Sequence, residues 1–378
     1  MEFETLCLHA DGNKKDEWGS ITTPVYQSAT FVHKDFNEVS KYSYSRLSNP
    51  TRAHLENTVA ALEGGAAAFA FSSGMAALSC VMKLFEAPAH IIASEDLYGG
   101  SLRLFRNVNA REGMSFDFID TGDLKKVESL IRRETKAIYV ETPSNPLMQV
   151  SDIAALAGIA KKHKLLLIVD NTFLTPYFQR PLALGADIVL HSGTKYLGGH
   201  NDTLAGFAVA KTEELAEKIL YYAKTIGACL APADCFLIER GIKTLPLRMD
   251  RINENAKQIA EMLRSCKAVS KVYYTGFPDH AGYAVSTKQA TGFGGMISFE
   301  VKDKQLVEKI LTGVKVFQYA ESLGGVESLI TYPVRQTHAD VPEEERDRRG
   351  INDRFLRISV GIENIKDLIE DLRQAIDK

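Results

Sequence analysis

Ala186-Asp187-Ile188-Val189-Leu190, continuing as His191-Ser192-Gly193-Thr194-Lys195-Tyr196-Leu197-Gly198-Gly199-His200, reads as a buried strand whose polar tip carries hydroxyls, glycines and one lysine. A second apolar run, Leu165-Leu166-Leu167-Ile168-Val169, ends in Asp170-Asn171-Thr172. Ala137-Ile138-Tyr139-Val140 runs into Glu141-Thr142-Pro143-Ser144-Asn145-Pro146, and His90-Ile91-Ile92-Ala93 runs into Ser94-Glu95-Asp96-Leu97-Tyr98-Gly99-Gly100. Buried parallel strands read as continuous apolar stretches, and ligands of open α/β sheets bind outside their carboxyl ends. Four such runs with polar tips predict a large, mostly parallel sheet with the chemistry gathered along one edge.

The residue types at those tips suit one cofactor. An amine at the end of a buried strand can form a Schiff base, and a buried carboxylate such as Asp170 can keep a pyridine nitrogen protonated, so the pair fits pyridoxal phosphate. Phe71-Ser72-Ser73-Gly74-Met75-Ala76-Ala77 reads as a helix start whose small residues let a phosphate reach free backbone N–H groups. Each signal alone has a plainer reading: a solvated lysine for Lys195, helix caps for Asp170 and Ser73. No Gly-x-Gly-x-x-Gly follows a strand and no Walker lysine motif is present, so nucleotide binding has little support.

With 378 residues, 45% hydrophobic and 25% charged, the chain can bury a large core and is longer than one average domain. A formal net charge of -3 without long basic or acidic blocks argues against nucleic acid or a membrane surface as partner. Cys7, Cys80, Cys229, Cys235 and Cys266 are odd in number and scattered, which suggests reduced thiols and a cytoplasmic location. The start, Met1-Glu2-Phe3-Glu4-Thr5-Leu6, has no secretory pattern, and no stretch is apolar for long enough to span a bilayer. No metal is expected.

The first fifty residues lack periodic order: 19–29 is rich in Ser, Thr and Pro, and 36–44 is polar. A helical pattern from about Leu230 to Leu263 predicts one long helix leading between lobes, with Arg240-Gly241-Ile242-Lys243-Thr244 at the passage. Beyond it, Gly292 to Val301 predicts a strand of alternating burial, Lys304 to Leu311 a helix, Phe355 to Val360 a strand and Ile365 to Ile376 an amphipathic helix. The organisation expected is therefore an arm over 1–46, a cofactor-binding α/β domain over 47–244 and a smaller C-terminal α+β domain over 245–378.

These segments, with Tyr44-Ser45-Arg46-Leu47-Ser48-Asn49-Pro50-Thr51-Arg52, Ser322-Leu323-Gly324-Gly325-Val326-Glu327-Ser328-Leu329 and Arg357-Ile358-Ser359-Val360-Gly361-Ile362-Glu363, resemble the Cys/Met-metabolism family of pyridoxal-phosphate enzymes, along essentially the whole chain. The resemblance implies the fold type I architecture of that family. It implies that Lys195 forms the Schiff base, Asp170 pairs with the ring nitrogen and Tyr98 stacks on the ring. It likewise implies that Ser73, Gly74, Met75, Ser192 and Thr194 hold the phosphate, and that Thr172 and Asn145 touch the ring and its phenolic oxygen. Arg357 would clamp the substrate α-carboxylate, beside Ser322, and Tyr44 and Arg46 would reach the neighbouring subunit's cofactor in a homotetramer, a dimer of dimers with shared active sites.

The chemistry so implied is removal of the α-proton of an amino acid by Lys195, activation of its β-hydrogen and loss of a γ-substituent, followed by thiol attack or by hydrolysis to 2-oxobutanoate and ammonia. Arg103 and Glu321 match positions that face cystathionine in relatives, whereas Gly100 and Glu321 depart from the methionine γ-lyase pattern. Ile330-Thr331-Tyr332-Pro333 with Gln336-Thr337-His338-Ala339-Asp340-Val341-Pro342-Glu343-Glu344 is similar to the cystathionine γ-synthase/O-acetylhomoserine thiolyase type. The reading is γ-replacement on an O-acylhomoserine with cysteine or sulfide. Cystathionine γ-lyase is the rival, methionine γ-lyase a more distant one, and a non-catalytic cofactor-binding protein the alternative of a different class. Ser43 departs from the Asp or Glu usual before the motif's tyrosine, which keeps sulfide and the lyase reaction open.

Overall fold

The computed structural model describes residues 1–10, 16–38, 40–339 and 341–377. Asp340, within the stretch quoted above, lies outside them. Seven strands form the larger sheet: β1 (Ala67–Phe71), β2 (Ala89–Ser94), β3 (Met114–Ile119), β4 (Thr135–Glu141), β5 (Leu166–Asp170), β6 (Ile188–Ser192) and β7 (Gly206–Ala210). Their order is β1-β7-β6-β5-β4-β2-β3, and β7 alone runs against its neighbours. The four apolar runs thus become the adjacent parallel strands β2, β4, β5 and β6.

Both faces of the sheet's centre are covered, which is why β4, β5 and β6 are largely apolar instead of alternating, whereas the edge strand β3 alternates and is only partly buried. Leu167 and Val169 of β5 join a core with helices Pro50–Glu63 and Ile153–His163, while Ile168 joins the opposite one with helices Gly74–Met82 and Glu213–Ile226. A five-stranded sheet follows, β8 (Val269–Tyr273), β9 (Met296–Val301), β10 (Gln318–Tyr319), β11 (Leu329–Thr331) and β12 (Phe355–Ser359), in the order β10-β11-β12-β9-β8. Helices Leu245–Ser265 and Ile365–Asp377 supply much of its core, through residues such as Ile259, Leu263, Leu368 and Leu372.

Three sequence expectations are corrected. The single helix expected over Leu230–Leu263 is two, Pro232–Ile242 and Leu245–Ser265, broken at Lys243 and Thr244. Pro246 has no N–H to give a preceding turn and sits in the first turn of the second helix, so the chain restarts there. β9 is buried at every position instead of alternating, because it lies between β12 and β8 with both faces covered. The N-terminal stretch holds a helix, Phe3–His9, whose Phe3 ring packs 5.3 Å from that of Tyr177 and lies under the Arg180 guanidinium at 5.1 Å. Seven residues are too few for a periodic signal, so this element escapes pattern reading.

Candidate active site

The carboxyl ends of β4, β5 and β6 fall level, since the register pairs Glu141 with Asp170 and Asp170 with Leu190. Their tips meet the first turn of helix Gly74–Met82, whose N-cap Ser73 accepts from the Ala76 N–H at 3.1 Å. Ser73, Gly74, Met75, Tyr98, Asn145, Asp170, Thr172, Ser192, Thr194 and Lys195 all line one cavity of about 210 Å³. Ten residues from five separate stretches of sequence are brought together in this way.

Small residues set how closely the walls approach. A Cβ on Gly74 would stand 3.1 Å from the Ser192 Cα, and one on Gly206 would stand 2.0 Å from the Ser73 carbonyl oxygen. Only glycine lets the helix start close onto β6 and β7, leaving its backbone N–H groups facing the cavity. Thr172 Oγ accepts from the Ser192 N–H at 2.9 Å, and the Thr194 hydroxyl bonds the Ala205 backbone, so the hydroxyl-bearing loop is pinned from both sides.

Lys195 donates from Nζ to Ser322 Oγ at 2.8 Å. Burial, then the nearby Arg357 charge, pull its amine down to about 8, against a smaller pull from Glu321 in the other direction. Ser322 holds φ at 97°, left-handed backbone that a side-chain-bearing residue adopts at a cost of order 1–3 kcal/mol, and there it turns its hydroxyl to Lys195 and its carbonyl to Arg357. Gly324 follows with φ 78°, where a Cβ would stand 2.7 Å from the Tyr196 nitrogen. The segment passes against the lysine loop because that position has no side chain.

Arg357, on β12, is 1% exposed and reaches the site from the smaller sheet. Its guanidinium donates to Asn145 Oδ1 at 2.7 Å, to the Ser322 carbonyl at 3.0 Å and to Thr331 Oγ at 3.3 Å, while its Nε has no partner among the described residues. Burial lowers Arg357 to about 10, so it stays charged at neutral pH. A buried, charged donor with N–H capacity to spare suits a carboxylate ligand.

Asp170 takes the Thr172 N–H at 3.0 Å, and burial raises its proton affinity against the effect of Thr172. Its bonded partner is neutral, so a cationic ring nitrogen would complete it. With an amine, a carboxyl group and a helix start carrying hydroxyls around one cavity, the residues fit pyridoxal phosphate: Lys195, Asp170, the Ser73–Met75 turn with Ser192 and Thr194, and Tyr98 as the ring contact. Tyr98 is 43% exposed, and a Cβ on Gly100 would stand 2.4 Å from its ring, so a larger residue there would displace it.

Four expected residues lie elsewhere. Tyr44 and Arg46 do not line their own chain's cavity; the Arg46 guanidinium lies 5.6 Å from the Tyr44 ring centre and bonds the Lys224 carbonyl. Arg103 is exposed at the end of helix Gly99–Arg103. Glu321 lines a neighbouring cleft of about 800 Å³ that shares Thr194 and Leu204 with the first cavity. The sequence reading passed over Glu141, Ser101, Phe173, Leu204 and Leu323 as lining residues. Glu141 had a usable signal, since it ends an apolar run as Asp170 does. A buried His191–Glu63 pair at 2.6 Å, joined by Asn171 Nδ2 to the same Glu63 oxygen at 3.1 Å, also went unread, because Glu63 is remote in sequence.

Residues 4–377 match the family described as Cys/Met metabolism PLP-dependent enzyme. The chain is 48% identical to a cystathionine beta-lyase of Lactococcus lactis subsp. cremoris, covering 100% of this chain and 99% of that one. It is also 48% identical to a cystathionine gamma-synthase/O-acetylhomoserine (thiol)-lyase of Bacillus subtilis, covering 97% and 94%. The crystal structure of cystathionine gamma-lyase from Lactobacillus plantarum complexed with L-serine superposes with a TM-score of 0.97 at 46% identity, covering 100% and 99%. The cavity thus lies in a chain whose relatives are trans-sulfuration enzymes, and the chain belongs to the Cys/Met-metabolism family of pyridoxal-phosphate-dependent enzymes.

Proposed function

We propose that this enzyme catalyses γ-replacement, joining cysteine or sulfide to the γ-carbon of an O-acylhomoserine. The observation that carries this reading is the second cleft beside the Lys195 cavity, walled by Ser322 and Glu321. It offers room for a second substrate, and the Glu321 charge, felt by both Lys195 and Arg357, suits the ammonium group of an incoming amino acid.

Pyridoxal phosphate, when bound, supplies the electron sink that accepts the pair left behind when a proton leaves the substrate's α-carbon. The chain's residues do the rest. Arg357 holds the α-carboxylate with its spare N–H donors, and Asn145 and Ser322 hold Arg357. Lys195, a weaker base than an ordinary lysine and so neutral more often near pH 7, takes the α-proton. It gives that proton up at a site other than the α-carbon, which leaves the β-hydrogen acidic, and then takes the β-proton, so that the γ-acyloxy group can depart as the carboxylate before the thiol adds. Ser322 Oγ, 2.8 Å from Nζ, steers the amine between these positions.

Tyr44 and Arg46 serve the neighbouring subunit in this reading, within a cytoplasmic homotetramer built of two such dimers. Support comes from their absence from their own cavity and from Arg52, which bonds the Ser45 carbonyl at 2.7 Å and presents the turn between them outward. Five free cysteines suit a reducing compartment.

A second reading, cleavage of cystathionine, is favoured by Ser43, where a carboxylate to receive the incoming cysteine is lacking. Relatives of similar identity carry lyase names as well as the synthase name. Purified enzyme incubated with O-acetylhomoserine, O-succinylhomoserine or cystathionine, with and without cysteine or sulfide, separates the two by mass spectrometry. Cystathionine or homocysteine formed from an O-acylhomoserine supports replacement. Turnover of cystathionine alone, to 2-oxobutanoate or to homocysteine and pyruvate, assigns a lyase.

A further inference from the structure

Glu141 has no role in the chemistry above, yet it ends β4 level with Asp170 and lines the same cavity at 7% exposure. Its Oε2 accepts the Tyr98 backbone N–H at 3.1 Å. Tyr98 is the N-cap of helix Gly99–Arg103, and its side chain makes no cap bond there, so the main-chain bond to Glu141 anchors the start of that helix from the sheet side. Tyr98's carbonyl is engaged on the helix side by Ser101 and Leu102 at 2.9 and 3.2 Å. The position of the Tyr98 ring over the cavity therefore depends on an acceptor at residue 141.

The charged groups that act on Glu141 are Asp170 on β5, Asp96 after β2 and Arg357 from the smaller sheet, and the Tyr139 phenol on its own strand feels Glu141 in turn. Arg357, the cation among them, is committed to Asn145, Ser322 and Thr331. Two carboxyl groups in one dry site do not both ionise readily, and the one with more donors ionises first. Asp170 has the Thr172 N–H at 3.0 Å and the Thr172 hydroxyl; Glu141 has, among the described residues, the Tyr98 N–H. Burial and the Asp170 charge hold Glu141 far above the usual carboxylate range.

We propose that Glu141 is a positioning residue: its carboxyl group fixes the Tyr98 backbone and stands neutral beside Asp170, leaving Asp170 alone to carry the charge presented to the cofactor ring. The inference rests on Asp170 and Tyr98 facing the cofactor as described above.

Holoenzymes carrying Glu141→Gln and Glu141→Ala test it through cofactor dissociation constant, visible circular dichroism of the bound cofactor and the pH midpoint of its absorption band. Gln keeps an acceptor and no charge, so all three readouts stay at parent values, with the dissociation constant within about twofold. Ala removes the acceptor, so the dissociation constant rises roughly three- to tenfold, the scale of one hydrogen bond, and the dichroism changes as the ring loses its fixed position. A Gln variant as impaired as Ala, or one with a displaced pH midpoint, overturns the neutral state; an Ala variant with parental dichroism and affinity overturns the positioning role. Should the Ala variant not fold, Glu141→Leu, which fills the space without an acceptor, takes its place under the same criteria. Asp170→Asn, measured alongside, separates the two levels: an unmoved absorption band there refutes the Asp170 assignment and not the role of Glu141.

Discussion

Replacing Arg357 probes the substrate clamp and the electrostatics of Lys195 together. A guanidinium has five N–H donors, and the bonds to Asn145, Ser322 and Thr331 use three, leaving two for a substrate carboxylate. Charge-assisted hydrogen bonds contribute about 1.5–3 kcal/mol each, so Arg357→Ala should lower kcat/KM by about 10²–10⁴-fold. Arg357→Lys keeps the charge but not the fork, and should lose about ten- to a hundredfold. The Ala variant also loses a charge that lowers the Lys195 pKa, so its amine should titrate above the parental value of about 8. The sign follows directly: a neighbouring cation disfavours the protonated amine, and removing it makes protonation easier. Steady-state kinetics give the first effect, and the pH dependence of cofactor capture by the cofactor-free protein gives the second, since only the neutral amine reacts. Near-parental kcat/KM in Arg357→Ala would refute the clamp; an unmoved capture profile would refute the electrostatic coupling.

Asp170→Asn should keep the cofactor bound while cutting turnover about 10²-fold or more, because the charge sustaining the protonated ring is gone; near-normal rates would place the ring partner elsewhere. Mixing inactive Lys195→Ala with inactive Arg46→Ala subunits should restore part of the activity through mixed dimers that keep one complete site, and no recovery despite proven subunit exchange counts against sharing. Arg103→Ala should weaken cystathionine and O-succinylhomoserine by about 1.5–3 kcal/mol and leave O-acetylhomoserine with sulfide nearly untouched. An equal loss for all three substrates assigns Arg103 a structural role.

The parallel core was legible because β2, β4, β5 and β6 are buried on both faces and so read as unbroken apolar runs. Lys195, Asp170 and Ser73 were legible because each occupies the polar end of such a run or the start of the helix facing it. β7 was not, since its sequence says nothing of direction and its antiparallel placement is set by pairing with β1 and β6. The Lys243–Thr244 break was masked by a helical pattern that continues on both sides of it. Ser322 was found by resemblance, but its φ of 97° and its bond to Lys195 arise from packing of Gly324 against the lysine loop, which spans well over a hundred residues of chain. Glu141 is less legible, because a carboxylate before Thr-Pro reads equally well as the start of a turn.

The central claim is that the Lys195 amine, at the tip of β6, is the group that binds the cofactor covalently. Borohydride reduction of the holoenzyme followed by peptide mapping tests it directly. A single pyridoxyl-modified peptide containing Lys195, absent from the Lys195→Ala variant, is the result expected; a reducible adduct on another lysine, or one that persists in that variant, would contradict the account.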